Sequence, residues 1–182
     1  MNPKAEEAHK HKLKKIKAKK ASVDADGNVE YYICESCGRF FADKNGQKEI
    51  KKSQVIVSLQ VKKGEVLKKA DGTSYQVADA KKLQVSYVSP SKRKSGTVNI
   101  PSKVIIGGKT YQVTKIKKNA FKNNKKIKKI VIPSSVVSIE NYAFANCKNL
   151  KTIEIRTTKL KNKKISSKAF KTVSYTHLTL PT

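Results

Sequence analysis

The segment VTKIKKNAFKNNKKIKKIVIPSS (113–135) is followed without a gap by VVSIENYAFANCKNLKTIEIRTT (136–158). Laid one above the other, Ile116 falls on Ile139, Ala120 on Ala143, Phe121 on Phe144, Ile127 on Leu150, Ile130 on Ile153 and Ile132 on Ile155, each displaced by 23 residues. A third unit starts at Lys159 with three extra residues and repeats the pattern at Ile165 and Ala169-Phe170. A period in the twenties with fixed apolar places is the signature of a solenoid. One unit cannot bury its own apolar face, so it stacks on its neighbours.

The spacing predicts how each coil is built. Ile130 and Ile132, two apart, point the same way from a short strand, as do Ile153 and Ile155. Pro133 then ends the strand, because proline cannot extend a hydrogen-bonded ladder. The N-A-F and Y-A-F segments are expected on a turn of helix, with Phe121 and Phe144 stacked inside. Burying each such side chain stabilises by roughly 1.5–3 kcal/mol. Lys125, Lys126, Lys128 and Lys129 fill outward positions. The expected fold class is therefore an α+β solenoid.

These residues resemble the BspA-like leucine-rich repeats of bacterial surface proteins, whose units read I-x-x-x-A-F-x-x-C-x-x-L-x-x-I-x-I-P. The segment IENYAFANCKNLKTIEI (139–155) matches that pattern nearly position for position, and the likeness runs over about 113–171. Upstream, IPSKVIIGGKTYQVTKI (100–116) is similar to the partial first turn and hairpin that precede such arrays. The resemblance implies a right-handed solenoid with a short parallel sheet on one side, used at the cell surface for adhesion and interaction rather than catalysis. It also makes Cys147 a small buried apolar residue on the helical side of the coil. That is the usual place of a free cysteine, so Cys147 is not expected to be reactive.

Composition bounds the partners. The 182 residues carry 41 Lys+Arg against 13 Asp+Glu, a formal net charge of +28, and Arg39, Arg93 and Arg156 are the only arginines. Proteins that read bases or grip phosphates bidentately lean on arginine, whose planar fork matches those groups; lysine is a hydrated point charge. The lysine-rich surface reads first as a solvated face, next as one attracted to an anionic cell-wall polymer or membrane surface, and last as a nucleic-acid binder. There is no run of 18 apolar residues to span a membrane. The start, MNPKAEEAHKHKLKK, lacks the apolar stretch of a secretory signal. Either the protein is cytosolic or its true N-terminus lies upstream.

Between Val55 and Val88 three β-prone runs, QVIVSLQV (54–61), SYQVAD (74–79) and LQVSYV (83–88), are separated by Gly64 and the turn signal ADGT (70–73). They predict a small sheet that caps the apolar end of the array. SPSKRKSG (89–96) follows as a loop.

The one arrangement with metal-ligand character is YYICESCGRFF (31–41). A C-x-x-C followed by glycine is a common zinc knuckle, since glycine lets amides approach the thiolates. Zinc takes four ligands and one knuckle supplies two. His9 and His11 are the further candidates, His177 belonging to the tail. Three readings fit Cys34 and Cys37: a metal site with His11 as third ligand, a reduced structural pair, or a local disulfide or redox pair without a thioredoxin-like context. A zinc here is expected to be structural, holding a module too small for a real core. Glu35 within the knuckle is nothing special as a general base. The string 11–50 resembles a short module of Gram-positive anaerobe surface proteins, in which a His-x-Leu start precedes A-T-C-x-x-x-G-N-x-E-Y-W-x-C-x-x-C-G-K-x-F. Many copies carry a cysteine where this chain has Val23, and the resemblance implies that this cysteine is a further ligand; here it is missing.

No phosphate loop, nucleophile elbow or H-E-x-x-H is present, so no enzyme is expected. The expected organisation is a CxxC knuckle module with a basic lead (1–52), a β-rich cap or linker (53–99), leucine-rich repeats (100–172) and a tail (173–182). The function expected is a cell-surface or secreted scaffold that binds a protein or glycan on the solenoid, with a structural stalk or wall-associated spacer as the alternative. Nonspecific nucleic-acid binding ranks below both. The tail VSYTHLTLPT departs from the rule. Apolar residues recur six, nine and eleven places after each Phe, but after Phe170 those places hold Thr176, Thr179 and Pro181. The array is therefore expected to break mid-unit, without a final strand. The tail also resembles the conceptual translation of a transposase-based sequencing adapter, which implies repeats lost beyond it.

Overall fold

The computed structural model describes residues 10–91, 95–160, 164–173 and 176–179, so His9 and Pro181 lie outside the described residues. The chain divides into two compact units, Met1–Leu59 and Gln60–Thr182.

The first unit holds β1 (Leu13–Ile16), β2 (Gly27–Asn28), β3 (Tyr31–Cys34), β4 (Phe40–Phe41), β5 (Glu49–Ile50), the single helical turn α1 (Lys52–Val55) and β6 (Ile56–Val57). An antiparallel sheet runs in the order β1-β3-β4-β5, and β2 pairs with β6 apart from it. Its core is small: Cys34, Phe41 and Val55. The run 54–61, expected as one strand, divides. The Gln54 side chain accepts the amide of Lys51 at 2.7 Å, which caps α1 and turns the chain before Ile56–Val57 can extend far.

The second unit holds β7 (Val66–Lys68), β8 (Ser74–Asp79), β9 (Gln84–Ser89), β10 (Gly96–Asn99), β11 (Lys103–Ile106), β12 (Lys109–Ile116), β13 (Ile127–Ile132), β14 (Ser138–Ile139), β15 (Thr152–Ile155) and β16 (His177–Thr179). One side of the coils is a parallel sheet, β10-β13-β15-β16, in which Val98, Ile130 and Ile153 form a buried row. On the other side β9, β12 and β14 run parallel, so that Tyr87, Ile116 and Ile139 share one rung, and a bridge carries it on to Ile165. The expected hairpin at 100–116 is β11–β12, turned at Gly107 and Gly108, whose φ of 51° and 72° suit glycine at a two-residue tip. β7 and β8 extend this sheet antiparallel to β9. The strand β7 had no signal in the sequence: it has three residues, of which only Leu67 is buried.

Inside the coils the rings of Tyr87, Phe121, Phe144 and Phe170 stack face to face. Centroid spacings are 5.4, 5.1 and 5.1 Å, with planes 8°, 13° and 5° from parallel. The spacing holds although Phe121 and Phe144 are 23 residues apart and Phe144 and Phe170 are 26.

The solenoid is as expected, but its α component is not. The segments around Ala120-Phe121 and Ala143-Phe144 are turns, and α1 is the only α-helix among the described residues. The reason lies in where the amides point. Asn119 and Asn123, and one coil on Tyr142 and Asn146, sit at φ of 63°, 62°, 58° and 57°. This reverses the peptide direction. The amides of Asn119, Phe121 and Asn123 donate to Asn141, Ala143 and Ala145 of the next coil, while those of Ala120, Lys122 and Asn124 donate three residues back. The next coil repeats the alternation, Tyr142, Phe144 and Asn146 donating to Lys168, Ala169 and Lys171. An α-helix spends every amide on its own axis, so an array bonded coil to coil on this side cannot be helical there.

The last coil also differs from expectation. It does carry a strand: β16 pairs parallel with β15, Leu178 standing opposite Ile153. Backbone pairing accepts any sequence, and it does not supply a core: His177, Leu178 and Thr179 are all exposed, Leu178 by 46%.

Candidate metal centre and interaction surface

His11, Cys34 and Cys37, 23 residues or more apart in part, are brought together by one strand register. β1 runs antiparallel to β3 with Leu13 opposite Cys34, and the amide of Glu35 donates to the Lys12 carbonyl at 3.0 Å. His11, two residues before Leu13, therefore arrives beside the knuckle. The knuckle itself is closed by Gly38, whose amide donates to the Cys34 carbonyl at 2.9 Å and whose φ is 71°, a conformation that favours glycine.

The nitrogen and two sulfurs lie within 4.8 Å of one another. His11 Nδ1 is 3.6 Å from Cys37 Sγ, and Cys34 Sγ is 3.1 Å from the Ser36 hydroxyl oxygen. Donors on a tetrahedral zinc-class ion, at bond lengths of about 2.0–2.3 Å, stand roughly 3.5–3.8 Å apart; the His11–Cys37 separation of 3.6 Å falls in that range, and two thiols with an imidazole are a donor set such an ion takes. Cys34 is buried, His11 half-buried and Cys37 exposed. The imidazole rests against Phe41, centroids 4.6 Å apart. On its other flank stands Gly46, where an added Cβ would come within 3.4 Å of His11 Cδ2. Gly46 belongs to a loop organised by Asp43, whose carboxylate accepts the amides of Asn45, Gln47 and Lys48 at 2.8, 3.3 and 2.6 Å. These amides, Lys48 foremost, hold the Asp43 carboxyl below its ordinary value. Glu35 faces away into an ion pair with Lys12 at 2.9 Å. The sequence names the three donors, and misses Phe41 and Gly46 as their supports. The D-K-N-G turn signal at 43–46 is the only hint of the second.

In the solenoid, Cys147 is buried, donates to the Phe121 carbonyl at 2.9 Å, and has its thiol pushed up to about 11 by burial. It is a structural residue, as expected.

The outer surface is almost uniformly basic. From Thr97 to the end there are nineteen Lys and Arg and two acids, Glu140 and Glu154. Both acids are already paired: Glu140 with Lys117 at 3.0 Å, Glu154 with Lys129 at 2.9 Å and Arg156 at 2.6 Å. Lys125 with Lys148, and Lys128 with Lys151, hold equivalent places on adjacent coils and are exposed. A recess of about 270 Å³ opens among Ser102, Lys103, Gln112, Ser134, Arg156 and Lys159. Among the described residues no helix is long and apolar enough to cross a membrane.

Stacked strand-turn coils with a shared aromatic column define a leucine-rich-repeat solenoid. Residues 97–182 match, in six copies, the family described as BspA type leucine rich repeat region. Among solved structures, the chain is similar to the pneumococcal vaccine antigen PcpA, with a TM-score of 0.51 and 23% identity over 65% of this chain and 33% of that one. It is also similar to a leucine rich cell surface protein from Faecalibacterium prausnitzii (TM-score 0.45, 22% identity, 62% of this chain and 27% of that one). A third is a leucine-rich repeat protein from Bacteroides ovatus (TM-score 0.44, 27% identity, 60% and 34%). The likeness to the pneumococcal antigen shows a shared fold. The chain spans about a third or less of the length of these proteins. No curated protein matches it.

Proposed function

We propose that the chain is part of a cell-surface or secreted protein in which the solenoid is a non-catalytic scaffold for binding a protein or glycan. The observation that carries this is the unbroken run of coils from β10 to β15. It offers an extended surface whose side chains change from rung to rung while the backbone repeats. The resemblance of 113–171 to repeats of bacterial surface proteins supports the location. In the amino-terminal unit, His11, Cys34 and Cys37 hold a zinc-class cation that stiffens a module with few buried apolar residues.

A second reading is a spacer lying along an anionic wall polymer. The stacked pairs Lys125/Lys148 and Lys128/Lys151, and the basic recess around Lys103, Arg156 and Lys159, favour it. Retention on immobilised host proteins, glycans and wall polymers, measured across salt concentrations, separates the two. Binding of one protein or glycan that survives beyond moderate salt supports the scaffold. Retention on every polyanion alike, lost once the screening length falls below about 10 Å, supports the spacer and removes the specific ligand.

A further inference from the structure

Resting on the reading of His11, Cys34 and Cys37 as a cation site, we propose that the protein supplies three donors and leaves the fourth coordination place to an exchangeable ligand from solution. The site then serves as a point of attachment for a small single-donor ligand of the imidazole or thiolate class, in addition to stiffening the module.

Three observations lead there. The first is donor count. Among the described residues the cluster of His, Cys, Asp and Glu ligand atoms at this place has three members, whereas a zinc-class ion takes four donors. The carboxylates nearby in sequence are committed elsewhere: Glu35 to Lys12 at 2.9 Å, Asp43 to the amides of its own loop, and Glu49 to Arg39 at 3.5 Å.

The second is the asymmetry of the surroundings. One wall is protein: Cys34 is buried, and the imidazole is held between Phe41 and Gly46. The other is solvent, because Cys37 is exposed at the tip of the knuckle. A place left open by three such donors is accessible from the Cys37 side. Two thiolates and one imidazole with an open fourth place form the donor pattern of zinc sites that exchange ligands; structural sites close with four protein donors.

The third is preorganisation. The β1–β3 register and the Gly38 turn fix the backbone that carries the three donors, Phe41 and Gly46 flank the imidazole, and the ligand atoms already lie within 4.8 Å of one another.

The test uses the reduced full-length chain with Co²⁺ as the optical stand-in for zinc. One equivalent is expected to bind with a thiolate-to-metal charge-transfer band and visible bands of a tetrahedral ion. Imidazole, cyanide or a small thiol then shifts the visible bands and saturates at one ligand per ion. His11→Ala, Cys34→Ser and Cys37→Ser each weaken binding by roughly tenfold or more, with the solenoid's circular dichroism unchanged. His9→Ala leaves both binding and ligand shift as they are. Stoichiometric Co²⁺ whose bands no added ligand moves, or moves only in His9→Ala, overturns the open fourth place while the cation site stands. Absence of Co²⁺ and Zn²⁺ binding overturns both.

Discussion

The ring of Tyr87 lies flat against that of Phe121, centroids 5.4 Å apart and planes 8° from parallel, although Tyr87 belongs to a strand outside the repeats. It is the first rung of the aromatic column. Tyr75 meets it edge-on at 5.5 Å, and both rings are buried. Strands β8 and β9 therefore share a core with the coils, which sequence comparison at a period of 23 could not find.

The Tyr87 hydroxyl is buried without a hydrogen-bond partner among the described residues, and burial pushes its phenol up. Tyr87→Phe is expected to leave stability unchanged or raise it by up to about 1 kcal/mol, since an unsatisfied polar group is removed. Tyr87→Ala removes the rung itself and is expected to cost about 3–5 kcal/mol. Urea unfolding of the two variants checks the contrast; equal losses would place the value of Tyr87 in its hydroxyl.

Asn123 holds φ of 62° and accepts a bond at 3.0 Å from the side chain of Asn146, its counterpart one coil on. Asn123→Gly keeps the conformation open and is expected to cost less than about 1 kcal/mol. Asn123→Val, β-branched and unsuited to a left-handed backbone, is expected to cost about 2 kcal/mol. A helical segment would show the reverse order, so the pair also tests the turn assignment.

Cys147 and Cys37 are expected to differ in alkylation. At pH 8, after chelator treatment, Cys37 is exposed and labels quickly. Cys147, its thiol raised to about 11 by burial, labels only after denaturation. Mass spectrometry of peptides from native and denatured protein reads both.

Lys129, and after it Arg156, hold the Glu154 carboxyl below its ordinary value. A depressed carboxyl contributes stability that is complete above about pH 5 and is lost as pH falls through its lowered folded value. Glu154→Gln is thus expected to be less stable than the native chain at pH 7 and indistinguishable from it in strong acid. The difference is small because Glu154 is partly and its two partners more fully exposed to solvent, and salt diminishes it. Thermal melts at pH 7 and pH 2.5 check the sign.

Much of this was legible beforehand because side-chain burial is written into spacing. The pairs Ile130 and Ile153, and Phe121 and Phe144, follow from apolar period, and the hairpin turned at Gly107 and Gly108 was expected from the resemblance of 100–116 to segments that precede such arrays. The error at Ala120-Phe121 came from the same source. Apolar spacing says which side chains turn inward, and it is silent on whether the intervening amides bond within the coil or across to the next. The three donors were legible as residue types. Their meeting rests on the pairing of Leu13 with Cys34, a long-range register that no local motif encodes.

The constancy of the ring spacing has a consequence for how such a protein diversifies. The step from Phe144 to Phe170 spans three more residues than that from Phe121 to Phe144, and both steps measure 5.1 Å. The spacing is close to the roughly 4.7–4.9 Å between paired strands, so strand pairing sets the pitch, and chain length between rungs is decoupled from it. Insertions between a strand and the following turn are then silent to the core and audible at the surface. Length variation becomes a route to new recognition that leaves the ruler of the molecule unchanged.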